Sequence, residues 1–181
     1  RAGIYTVTVT DSKGCTATGT RTVTQPTEIQ VTTVVNDVLC NGASSGSITY
    51  NISNSNGFQV TFQLIDSNGV VIASNNSGIF TNLPIGTYTV NILQSQGSTS
   101  CTFTDTFVIT QPSPITGIAV ITQNYTCLTN GSIGIQTGSV TGGTAPYLFS
   151  IDGVTFSTIS DFSGLTSGNY TIYIQDANGC I

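Results

Sequence analysis

The chain has 181 residues, 38% hydrophobic and only 6% charged, against about a quarter charged in ordinary soluble proteins. It contains no His, Met or Trp, its only cationic side chains are Arg1, Lys13 and Arg21, and its net charge is −5. This composition excludes Ser/His/Asp and Cys/His relays and His-ligated metals, and it leaves nothing to neutralise a phosphate backbone or an anionic membrane surface. Neither an enzyme, a nucleic-acid partner nor membrane insertion is expected, and no catalytic, cofactor-binding or metal-ligating residue is assigned.

Thr, Ser, Asn, Gly, Val and Ile dominate what remains, and they favour pleated strands and tight turns over helix. Seven Tyr and eight Phe supply the bulk for a core, which a disordered chain lacks. No apolar run approaches the roughly 18 residues of a membrane helix, and the first residues lack the basic start and apolar middle of a signal peptide. The chain begins without Met and reads as a window from a longer polypeptide.

In chain order, Gly3-Ile4-Tyr5-Thr6-Val7 comes first and returns as Gly86-Thr87-Tyr88-Thr89-Val90 and as Gly168-Asn169-Tyr170-Thr171-Ile172. Asp11-Ser12-Lys13-Gly14-Cys15 matches Asp176-Ala177-Asn178-Gly179-Cys180, with Gly97-Ser98-Thr99-Ser100-Cys101 as an altered middle copy. Thr22-Val23-Thr24-Gln25-Pro26 returns as Val108-Ile109-Thr110-Gln111-Pro112, a spacing of 86 residues from Gln25 to Gln111 that suits one β-sandwich domain. The frame places the C-terminal strands of a preceding repeat at 1–26, a complete repeat at 27–112, and at 113–181 a repeat lacking its last strand.

Within 27–112, apolar/polar alternation predicts strands near 28–35, 47–52, 58–65, 70–74, 86–94 and 102–110. Asn41-Gly42, Ser45-Gly46, Asn56-Gly57, Asn68-Gly69 and Pro84-Ile85-Gly86 supply the turns. The predicted fold is all-β, tandem immunoglobulin-like β-sandwich repeats with essentially no helix. Leu83, Gly86 and Tyr88, repeated as Leu165, Gly168 and Tyr170, have the spacing of a tyrosine corner, a structural role extended to Tyr5.

In this frame Cys40 and Cys101 open and close the complete repeat, and Cys127 and Cys180 the next, while Cys15 is left for a partner upstream. The expected bridges are Cys40–Cys101 and Cys127–Cys180, each closing roughly 55 to 60 residues at about 4 kcal/mol of loop entropy. Bridged repeats imply an oxidising, extracellular location. Buried free thiols, a metal site and intermolecular bridging through Cys15 are the competing readings; no CxxC pair supports the metal site, and nothing requires the intermolecular bridge.

The run Gly142-Gly143-Thr144-Ala145-Pro146-Tyr147-Leu148-Phe149-Ser150-Ile151-Asp152-Gly153 leads on to Phe156, Leu165, Gly168, Tyr170, Asp176, Asn178, Gly179 and Cys180. With the opening Cys40-Asn41-Gly42 and Gly46-Ser47-Ile48, it resembles the SprB-type repeat of large Bacteroidota surface proteins. The middle repeat departs from that pattern, with neither the Gly-Gly-x-x-Pro-Tyr segment nor the Asp before Gly near Cys101. The resemblance implies a large multi-repeat protein, type IX secretion, and a role in adhesion or gliding motility.

Other features have plainer readings. No cofactor is expected; Asp152 and Asp176 lie beside Gly in loops where a calcium ion between domains would find oxygen ligands, but the carboxylates are widely spaced and suit turn caps better. Tyr147 and Phe149 suggest an aromatic platform for a glycan, with core packing the simpler account. Thr6, Thr8, Thr10, Thr20, Thr22 and Thr24 read as a Thr-rich solvent face, and the sequons at Asn51, Asn75, Asn124, Asn130 and Asn169 follow from composition.

The expected function is a structural stalk segment of a secreted, surface-attached filamentous adhesin. Its partners would be neighbouring repeats, and beyond them glycans, abiotic surfaces or other copies in a fibre. The alternatives are a carbohydrate-binding or spacer module of a secreted enzyme, and a subunit of an extracellular fibre.

Overall fold

The computed structural model describes residues 1–24, 30–55 and 57–181. Gln25-Pro26, the boundary at 26, the start of the strand expected from 28 and Asn56 of one expected turn lie outside the described residues. Among the described residues every regular element is a strand and every strand pairing is antiparallel. No helix among them is long and apolar enough to cross a membrane.

β1 (Gly3–Thr10) and β2 (Thr16–Val23) pair only with each other. Because side chains alternate, Thr6, Thr8 and Thr10 stand opposite Thr20, Thr18 and Thr16 on one face, while Tyr5, Val7 and Val9 occupy the other. Both faces are exposed.

Seven strands follow: β3 (Gln30–Asn36), β4 (Gly46–Asn54), β5 (Gln59–Ile65), β6 (Val71–Asn75), β7 (Ile79–Leu83), β8 (Gly86–Gln96) and β9 (Thr99–Ile109). They form two sheets, ordered β3-β4-β7 and β6-β5-β8-β9. Ile48, Tyr50, Phe80 and Leu83 from the first sheet join Phe62, Leu64, Tyr88, Val90, Ile92 and Ile109 from the second in one buried cluster. Two antiparallel sheets closed over a shared core make a β-sandwich. Alternation explains the choice along β8, where Tyr88, Val90 and Ile92 are buried and Thr89 and Asn91 are not.

β7 is a strand that alternation does not predict. Its inward residues, Phe80 and Leu83, are three apart, because the pairing with β4 shifts between Gly46 and Ile48 and Asn82 adopts φ 58°. A bulge of this kind breaks the two-residue period that marks a strand. Gly78, at φ 70°, precedes it where a Cβ would come within 2.9 Å of Tyr50 Cβ and 3.0 Å of Phe62 Cζ, so the turn closes over the core only with glycine.

The remaining strands are β10 (Ala119–Gln123), β11 (Gly131–Ile135), β12 (Leu148–Ser150), β13 (Asp161–Leu165) and β14 (Tyr173–Gln175), in sheets β10-β11-β13 and β12-β14. The pairs Gly131/Leu165, Ile133/Phe162 and Gly134/Asp161 repeat the pairs Gly46/Leu83, Ile48/Phe80 and Thr49/Ile79, including the register shift. Packing is thinner here. No aliphatic or aromatic side chain of 113–181 is buried, whereas Ser132, Ser150, Asp176 and Cys180 are.

Candidate functional site

The residues that matter most gather where the segment after β9 meets the Asp176 turn. Asp176 Oδ1 accepts the backbone N–H groups of Asn178 and Cys180, both at 2.9 Å, and Gly179 N donates to the Asp176 carbonyl. The same set recurs at Asp11, with Lys13, Gly14 and Cys15, and at Asp66, with Asn68, Gly69 and Val70. An Asp followed three residues later by Gly thus builds one turn three times, because the carboxylate takes up the donors that a reversing chain leaves unpaired. At Asp11 and Asp176 the turn presents a cysteine as its fifth residue.

Cys180 is bonded to Cys40, with Cα atoms 5.4 Å apart. This corrects the expected pairs Cys40–Cys101 and Cys127–Cys180, since Cys15, Cys101 and Cys127 are free and exposed. The physical reason is position along strands. Val38 N donates to the Thr110 carbonyl, which places the Cys40 loop at the exit of β9, while Cys101 lies nine residues back along that strand, about 30 Å away at 3.3 Å per residue. Cys127 lies in the loop between β10 and β11, which Gln123 Nε2 closes by donating to the Asn130 carbonyl. Cys180 lies at the other end of β10, where Thr116 pairs with Thr141 and Gly143 N donates to the Ser113 carbonyl. A disulfide needs Cα atoms within about 7 Å, a condition that Cys40 and Cys180 meet at 5.4 Å.

The Cys40 loop is tied to the connecting segment by three side chains. Asp37 Oδ1 accepts Thr110 N at 2.7 Å, Gln111 Oε1 accepts Gly42 N at 2.7 Å, and Asn41 Nδ2 donates to the Pro112 carbonyl at 3.0 Å. On the opposite side the Gly142-Gly143 loop lies against the segment itself. A Cβ at Gly142 would overlap the Pro114 carbonyl oxygen, and one at Gly143 would come within 2.9 Å of Asp176 Oδ2. Thr144 N donates to that oxygen, Asn178 Nδ2 to Thr144 Oγ1, and Tyr147 Oη to the Gly142 carbonyl at 2.6 Å. Tyr147 is half-buried and holds this loop closed. A cleft of about 390 Å³ remains, lined by Cys40, Asn41, Pro112, Ile115, Asp176 and Ile181 among others.

Burial pushes the Asp176 carboxyl up, but the N–H groups of Cys180, Thr144, Asn178 and Gly179 outweigh it and hold the group below the usual carboxylate range. Asp152 is held lower still by the Ser150 hydroxyl and the N–H groups of Thr155 and Val154. Both carboxylates considered for calcium therefore have protein donors, and among the described residues no three Cys, Asp or Glu side chains group together.

The three corner tyrosines share one geometry. Tyr5, Tyr88 and Tyr170 each donate to the carbonyl four residues upstream, at Arg1, Pro84 and Thr166, over 2.8, 3.1 and 3.1 Å. Only Tyr88 is buried. The Gln-Pro motif alone does not reveal Gln111, whose Oε1 holds the Gly42 N–H, and the third Asp-x-x-Gly turn, at Asp66, lies between β5 and β6 and not in the β8–β9 hairpin that carries Cys101. A search for Asp-x-x-Gly would have found that turn. Compared with known proteins, the chain matches no family model and no curated protein.

Proposed function

We propose that this chain is a structural stalk segment of a secreted, surface-attached filamentous adhesin, built of tandem immunoglobulin-like sandwiches of the SprB type. The observation that carries the reading is the Cys40–Cys180 bridge, which spans the Pro112-Ser113-Pro114 connection and ties one sheet assembly to the next. A covalent tie across a junction has a mechanical use and no catalytic one. The repeated pairing of β4 with β7 and of β11 with β13 supports the tandem arrangement. So does the hairpin face of Tyr5, Val7 and Val9, which matches Tyr88, Val90 and Ile92 of β8 in sequence order. The bridge supports an oxidising, extracellular location.

Pulling on the chain from its two ends tests this reading. The oxidised chain is expected to yield far less length than the chain with Cys40→Ser and Cys180→Ser. Equal extension of the two would remove the mechanical role.

A further inference from the structure

The position of the bridge bears on the cysteines it leaves free. In each sheet assembly that carries two cysteines, the two lie at opposite ends, Cys40 and Cys101 in one, Cys127 and Cys180 in the other. Neither pair can close within its own assembly, so every bridge available to them crosses a junction.

The observed bridge joins a defined pair of partners. One is the loop that leads into the strand beginning at Gly46; the other is the cysteine of an Asp-x-x-Gly-Cys turn. The chain holds a second example of each, unjoined. Cys127 lies in the loop leading into β11, whose Gly131 takes the place of Gly46 in the matching register, and Cys15 ends the Asp11 turn, which has the same five-residue hydrogen bonding as the Asp176 turn. The surface around Cys127 is uncovered. Leu128 is 95% exposed, Ile121 69% and Tyr125 51%, and an open groove runs beside them along Gly131, Leu165 and Tyr170. Exposed apolar side chains thus flank a free, exposed thiol.

We infer that the Cys127 loop is a docking and cross-linking surface for an Asp-x-x-Gly-Cys turn of a neighbouring unit of this kind, and that Cys15 is the matching half on the other side of such a junction. The inference rests on the tandem reading above. Successive bridges would then overlap along an array, each joining one unit to the next. The chemistry needs a disulfide oxidant: the two thiols form one Sγ–Sγ bond, and oxidised glutathione takes up their two electrons and two protons as its own S–S bond breaks into two thiols.

The test uses the full chain with Cys101→Ser, the Cys40–Cys180 bridge intact, and oxidised glutathione. Head-to-tail multimers are expected on non-reducing gels, and peptide mapping should show Cys15–Cys127 links at least tenfold above Cys15–Cys15 and Cys127–Cys127 together. A statistical mixture of the three, or no cross-link, would overturn the inference. Asp11→Ala should cut the yield tenfold while Cys15 still reacts with a maleimide, and an unchanged yield would show that the turn is not what is recognised. These outcomes are separate from the pulling test, which concerns only the Cys40–Cys180 bridge.

Discussion

Tyr50 has a buried hydroxyl with no hydrogen-bond partner among the described residues, set among Phe62, Phe107 and the Gly78 turn. Burial, and then the charge of Asp105, push its ionisation well above that of a free phenol. An unpaired buried hydroxyl costs about 1–3 kcal/mol, so Tyr50→Phe should leave stability unchanged or raise it by about 1 kcal/mol in denaturant unfolding. A loss of more than that would mean the hydroxyl has a partner. The sign with pH follows from linkage. A tyrosine whose folded value is raised withholds its proton while the unfolded chain releases it, so stability falls as pH rises above about 10. Tyr88 is shifted in the same direction by burial and then by Asp66, so Tyr50→Phe should lessen the alkaline loss without abolishing it.

The turns are the elements most exposed to acid. Hydrogen bonds from Cys15, Thr110 and Val70 respectively hold Asp11, Asp37 and Asp66 below the usual carboxylate range, and Asp176 is lowered by its N–H donors against the effect of burial. Their contribution is complete above the unfolded value near 3.9 and is lost as pH falls below it, so thermal unfolding should show a plateau above about pH 5 and a decline below pH 4. Asp176→Asn keeps one acceptor and sets an amide donor against a backbone N–H. It should cost about 1–3 kcal/mol and flatten the acid decline of 113–181, measured by hydrogen exchange. Unequal packing gives a further expectation. Strands β3 to β9 close over a core of aliphatic and aromatic side chains, whereas 113–181 buries mainly polar groups and Cys180. Reducing the bridge should therefore raise exchange in 113–181 before it affects 30–112; simultaneous loss would mean that the two assemblies unfold as one.

For the whole molecule, the bridge encloses a sequence separation of 140 residues. Since extended chain spans at most about 3.4 Å per residue, the bridge withholds on the order of 480 Å of length from a pull on the two ends, and this is the difference expected between the oxidised and bridgeless chains. Loop entropy assigns such a closure about 5 kcal/mol, only slightly more than the closures expected from the sequence, because the dependence on loop length is logarithmic. Bridging across a junction instead of within a sandwich therefore changes the stability term little and the mechanics greatly. An intra-sandwich bridge limits how far one unit unravels, and the observed one also keeps two units from separating.

The local features were legible in the sequence because each depends on a few neighbouring residues. Alternation marked most of β3 to β9, Gly and Asn marked turns, and the Tyr spacing marked three hydroxyls that bond four residues upstream. β7 escaped because its inward residues are separated by a bulge that depends on β4, and the role of Gly142-Gly143 escaped because it depends on the Pro114 backbone against Gly142 and on Ile115 and Asp176 against Gly143. The order of the repeated motifs along the chain suggests pairing Cys40 with Cys101 and Cys127 with Cys180, and the structure joins Cys40 to Cys180 instead. Composition and short-range pattern determined the strands, the turns and the exclusion of His-based chemistry. Only the tertiary structure decided the cysteine pairing, because a disulfide forms between the ends that meet in space, and the end of one assembly meets the beginning of the next.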